Sequence, residues 1–252
     1  MNTQAHEFVA PYSRLALDYD QSLGIPAFVR IRNAFESLVR RYDVRFRSAA
    51  DAGCGTGLFA CYLSRRWCVP VFAVDRSTEM LEVAARNCRG ANVCFLKQDL
   101  RCLSLPFPVD LITANFDTLN HLTSGGDLRL VLKRISKNLR PGGSFFFDLV
   151  TPCQPLASKR TYVRRAGTVN RTVTQCIRWD PRRRVISMNV LLRSSRSPLV
   201  VVESHRERAY WPAEVARWLS KAGLVISGVH DAMTLEPAYG CPPRITVVAR
   251  KK

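Results

Sequence analysis

The segment Asp51-Ala52-Gly53-Cys54-Gly55-Thr56-Gly57 constrains this chain more than any other. It follows a short apolar run that begins at Ser48 and precedes LFACYLSRRW, whose apolar positions recur at helical spacing. The pattern is a buried strand that empties through a glycine turn into a helix. Gly53 and Gly55 permit backbone dihedrals and a close ligand approach that a Cβ would block, and Gly57 is expected to let the helix pack tightly against the sheet. Amides of such a turn can hold an anion or a carboxylate.

The unit then repeats. VPVFAVD reads as a strand, TEMLEVAARNC as a helix, NVCFLKQDL and VDLITANFD as strands, DLRLVLKRISKNL as a helix closed by RPGG, and SFFFDLV as a strand. Almost wholly apolar strands separated by amphipathic helices predict a mostly parallel sheet covered on both faces. Residues 26–41 form a helix after Pro26, and the segment before it reads as short helical or irregular. Over residues 159–208 the period changes to alternating runs joined by Asp-Pro and Ser-Pro, which predicts an antiparallel insertion. PAEVARWLSKAG and two further strands then resume the core. The fold class is therefore α/β, a Rossmann-like open sheet of seven mostly parallel strands. Its expected division is a core part at 1–150, a basic insertion at 151–208 forming an acceptor lid, and the core's last helix and strands at 209–252.

Composition excludes several classes. Hydrophobic residues at 47% and charged residues at 23% rule out a disordered polyelectrolyte. No apolar run approaches the roughly 20 residues of a membrane span, and the first residues contain no secretory signal, so a cytoplasmic protein is expected. The net charge of +18 is uneven, because residues 151–210 carry thirteen basic against three acidic groups. Such a stretch suits an acidic acceptor, with Arg164, Arg178 and Arg206 as its contacts, or a nucleic acid; solvated sheet surface accounts for it equally. Nine cysteines without a CxxC pair point to reduced, structural thiols and no metal site.

The acids that follow the turn have a spatial logic. Asp75 ends the next strand, where a carboxylate can accept from both hydroxyls of a ribose, with Arg76 beside it. Asp99, followed by Leu100, ends the third strand, within reach of an adenine amine. Asn115 and Asp117 end the fourth. The turn and Asp75 alone also suit NAD.

Together these residues resemble the class I S-adenosylmethionine-dependent methyltransferases, and more narrowly their small-molecule branch with an antiparallel insertion after the fifth strand. DAGCGTG is similar to that family's first motif, and FDTLNHL with LRPGGSFFFDLVTP to its later ones. The resemblance implies S-adenosylmethionine as cofactor, with S-adenosylhomocysteine as product. It places Asp51, Gly53, Cys54, Gly55 and Gly57 against the methionine portion, Asp75 on the ribose, Asp99 and Leu100 near adenine, and the Asn115 backbone at the methionine amine. It also implies methyl transfer by in-line displacement to N or O of a small molecule. Tyr12 and Tyr19 are candidate acceptor contacts, and Tyr19 and His121 candidate catalytic groups. RNA or protein methylation through the insertion, an NAD enzyme and a non-catalytic binding protein are the alternatives. Oligomeric state is not legible.

Overall fold

The computed structural model describes residues 5–153, 159–166 and 171–252, without the side chains of 159–160 and 164–166. In chain order the elements are β1 (His6–Val9), α1 (Ala16–Tyr19), a π turn (Asp20–Gly24), α2 (Ile25–Arg41), β2 (Ala49–Ala52), α3 (Leu58–Trp67), β3 (Val71–Asp75), α4 (Thr78–Asn87), β4 (Val93–Lys97), β5 (Val109–Ala114), α5 (Gly125–Asn138) and β6 (Leu139–Val150). The insertion follows as β7 (Lys159–Ala166), β8 (Arg171–Asp180), β9 (Val185–Ser194) and β10 (Ser197–Arg208). The chain closes with α6 (Pro212–Lys221), β11 (Leu224–Asp231) and β12 (Arg244–Lys251).

Seven strands form one sheet in the order β11-β12-β6-β5-β2-β3-β4. β12 runs antiparallel to both of its neighbours, and the pairs from β6 to β4 are parallel. Alternation along the strands divides the core. Phe145 and Phe147 pack with α5 and α6 on one face, whereas Phe146 packs with Phe35 of α2 and Phe59 of α3 on the other. Strand order reverses between β2 and its two partners, β3 and β5. A crevice therefore opens beyond the carboxyl ends of these strands.

The insertion forms a second sheet in the order β1-β10-β9-β8-β7. β7 to β10 pair antiparallel, as the alternation predicts, but β1 adds a parallel fifth strand. The N-terminal segment, read from sequence as helical or irregular, thus begins as a strand. Four residues without a turn signal cannot announce a partner nearly two hundred positions away.

The reading of every cysteine as a free thiol needs correction. Cys153 and Cys241 form a disulfide across 88 residues of sequence. β6 pairs with β12 so that Val150 lies opposite Arg244, and this brings the two thiols together although no spacing rule relates them. Closing a loop of 88 residues is worth about 4.6 kcal/mol by the chain-entropy argument. The reduced protein is accordingly expected to melt about 10 °C lower. A melting curve that dithiothreitol leaves in place, matching a Cys153→Ser/Cys241→Ser variant, would show that the bond contributes nothing. No helix among the described residues is long and apolar enough to cross a membrane.

Candidate active site

The crevice holds a cavity of about 340 Å³, within the range of small-molecule sites. Its floor is the glycine turn. Gly53 and Cys54 donate their amides to the Val74 carbonyl at 2.7 and 3.0 Å, which ties the turn to β3. A Cβ on Gly53, whose φ is +72°, would lie 2.5 Å from Thr118. Gly57 differs from the sequence expectation in what it packs against. A Cβ there would lie 2.8 Å from Ala84 of α4 rather than against the sheet. At Gly55, with φ +52°, a Cβ would meet nothing within 4 Å, so the backbone faces the open cavity.

Around this floor stand the strand-end acids. Asp51 is buried and accepts from the Thr113 hydroxyl at 2.7 Å. Burial pushes its carboxyl up to about 7. Asp75 accepts the amides of Gly55 and Ser77, both at 2.9 Å; burial raises its pKa and these amides oppose the rise. Asp99 and Leu100 line the far end, and Asp99 is engaged by Arg101 through Nε at 2.9 Å and Nη2 at 2.6 Å. Arg76 also lines the cavity. Asn115 is 8% exposed, and neither polar atom of its side chain has a partner. A buried amide left in that state is costly, and it stands beside the cavity.

The opposite end is aromatic. Tyr12 and Tyr19 meet edge to face at 6.1 Å, and Tyr19 meets Phe116 likewise. The Tyr12 hydroxyl lies 2.8 Å from Nε2 of His121. With its proton on Nδ1, the neutral ring accepts a hydrogen bond from the Tyr12 hydroxyl at Nε2. Burial holds His121 down to about 4 and pushes both phenols up, which leaves all three groups neutral at pH 7. The π turn holds this end to the floor, because Asp20 accepts from the Thr56 hydroxyl and, at 2.9 Å, from the Asn87 amide.

The predicted residues do not all converge. Asp51, Gly53, Cys54, Gly55, Asp75, Arg76, Asp99, Leu100, Asn115, Tyr12, Tyr19 and His121 line one cavity. Gly57 lies behind them at the start of α3. Arg178 and Arg206 do not join them. Each lies opposite Ser187 in its ladder, on the face reverse to Glu203, His205 and Glu207, because side chains alternate along a strand. That reverse face is exposed at Arg178, Ser187 and Arg206. The side chain of Arg164 lies outside the described residues. Counting charge in the insertion could not reveal which set turns inward.

Sequence reasoning also missed Arg244. It forks onto Asp117 at 2.6 and 2.9 Å and bonds Asp148, under Phe116 and Asp117, whose φ values of 56° and 65° are left-handed. Two such residues in succession, neither glycine, are strained, and the ion pair holds the turn that carries Thr118. A left-handed pair of this kind leaves no signal in the sequence.

The family described as a methyltransferase domain matches residues 49–143. This span runs from β2 and its glycine turn into β6. The chain carries a methyltransferase domain over this span. The cypemycin N-terminal methyltransferase of a Streptomyces species is 26% identical over 216 residues, which cover 82% of this chain and 84% of that protein. The fold is that of an S-adenosylmethionine-dependent methyltransferase from Clostridium acetobutylicum, with TM-score 0.80 and 24% identity over 95% of this chain and 98% of that one. CalS10, an amino pentose methyltransferase from Micromonospora echinaspora solved with S-adenosylmethionine bound, has TM-score 0.69 and 20% identity over 88% and 92% of the two chains. S-adenosylmethionine is the cofactor of this methyltransferase. The open face of Gly55, the acids at the strand ends and the unpartnered Asn115 amide fit such a group.

Proposed function

We propose that this methyltransferase moves a methyl group to a nitrogen or oxygen of a small-molecule acceptor seated at the Tyr12 and His121 end of the cavity. The observation that carries this reading is that one cavity joins the glycine turn and strand-end acids to the Tyr12–His121 pair. In this reading Asp51 and the turn hold the methionine portion, with Asn115 at its amine. Asp75, beside Arg76, holds the ribose, and Asp99 with Leu100 borders adenine. S-adenosylmethionine supplies a methyl group already activated on a sulfonium, so the chain's task is chiefly alignment.

Tyr12 and Tyr19 exclude water and orient the acceptor. Nε2 of His121, neutral and within reach of the Tyr12 hydroxyl, takes the proton that the acceptor releases. The proposed acceptor is not an acid, because the insertion turns Glu203 and Glu207 to this end and Arg178 and Arg206 away from it. A second reading, methylation of a peptide's terminal amine, is favoured by the similarity to cypemycin N-terminal methyltransferase.

Methyl-labelled S-adenosylmethionine, incubated with the protein and a fractionated lysate, is expected to place label in the small-molecule fraction. Label in peptide selects the second reading, and label in RNA removes both. With the acceptor so identified, His121→Phe is expected to lower turnover about 10²-fold. Wild-type turnover in that variant and in Tyr12→Phe would withdraw the pair from the reaction.

A further inference from the structure

Glu203 on β10 is fully buried, and no lysine or arginine pairs with it among the described residues. Its carboxylate collects four donors instead. Oε2 accepts the Tyr12 amide at 2.7 Å and Nε2 of His205 at 3.2 Å, and Oε1 accepts the amides of Arg14 and Leu15, each at 2.8 Å. Burial would raise its pKa, but the bonds from His205 and from these amides outweigh it and hold the group below the usual carboxylate range. A buried anion is costly unless its acceptor capacity is filled, and only an ionised carboxylate can take this many donors at one point.

Those donors lie where the chain needs holding. Tyr12 has φ +66°, a conformation that a bulky residue enters at a cost. Its amide sits on Glu203, and its ring meets His205, bonded to the same carboxylate, edge to face at 4.6 Å. Three residues on, Leu15 anchors the segment among Val173 and Val190 of the insertion. Between these points the direction of the Tyr12 side chain depends on the backbone that Glu203 grips.

We infer that Glu203 is a positioning residue of this methyltransferase, gripping the N-terminal segment so that the Tyr12 hydroxyl meets His121. The inference rests on the reading of that pair as the acceptor end. Glu203 touches neither partner's functional atom; it reaches His121 chiefly through Tyr12, with the His205 ring, 6.5 Å from that of His121, as a second route. The inserted sheet is then part of the site's construction, because β10 supplies the anchor that the N-terminal segment lacks by itself.

Histidine side-chain ¹H–¹⁵N spectra of the full chain test this without an acceptor, and the sequence has only four histidines to resolve. Glu203→Gln keeps one oxygen for the Arg14 and Leu15 amides but presents an NH₂, which cannot accept, to Tyr12. It is expected to shift the Nε2 resonance of His121 to the position seen in Tyr12→Phe, with no further shift in the double variant. A His121 signal unmoved by Glu203→Gln but displaced by Tyr12→Phe overturns the inference, as does an additive double variant. If Glu203→Gln does not accumulate as folded protein, Glu203→Asp, which keeps the charge but not the reach, is read against the same two outcomes. Should both variants shift His121 while Tyr12→Phe and His121→Phe transfer methyl at the wild-type rate, the acceptor reading fails and the positioning role stands.

Discussion

Asp75→Ala is expected to raise the dissociation constant for S-adenosylhomocysteine about 10²-fold, as measured by calorimetry. Two hydrogen bonds from ribose hydroxyls to an ionised carboxylate are worth about 1.5 kcal/mol each, and about 3 kcal/mol corresponds to that ratio. Part of the effect is indirect, because Asp75 also accepts the Gly55 amide at 2.9 Å. Asp75→Asn separates the two contributions, since its remaining carbonyl oxygen can still receive Gly55. An intermediate affinity is expected for Asn. Undiminished affinity in folded Asp75→Ala would remove this residue from the ribose.

Arg244→Met is expected to cost about 3–5 kcal/mol, the range for breaking a buried ion pair from one side, and to lower the melting temperature by about 10 °C. Asp117, Asp148 and Glu207 all influence this guanidinium's surroundings. Removing it leaves Asp117 and Asp148 without their cation and frees the strained turn at Phe116 and Asp117. Burial already raises Asp148, against the pull of Arg244. The deficit should therefore narrow as the pH falls toward the acid range, where the orphaned carboxyls take up protons. Adding Asp148→Asn should recover part of the loss. A melting temperature equal to wild type at pH 7 would mean that the pair contributes no net stability.

Much of the glycine-turn end of the cavity was legible in the sequence, and for a topological reason. Where strand and helix alternate, each strand's last residues arrive at the same crest, so Gly53, Asp75, Asp99 and Asn115 could be placed together from local pattern alone. Tyr12, Tyr19 and His121 were legible as candidates but not as a bonded set. Their meeting requires the N-terminal strand to add to a sheet formed from residues nearly two hundred positions later.

The amino-acid order by itself determined the doubly wound core and the glycine turn, because these follow from short-range periodicity and from backbone freedom at a few glycines, whereas the methyltransferase family entered as a resemblance carried by DAGCGTG and the later motifs. Only the tertiary structure decided which side of the insertion faces Tyr12 and His121. Arg206 and Glu207 are neighbours in the chain, yet alternation along β10 sends one to solvent and the other inward. The same holds for the Cys153–Cys241 bond and for the grip of Arg244 on Asp117. Each joins residues far apart in sequence, and strand register, rather than residue type, brings them into contact.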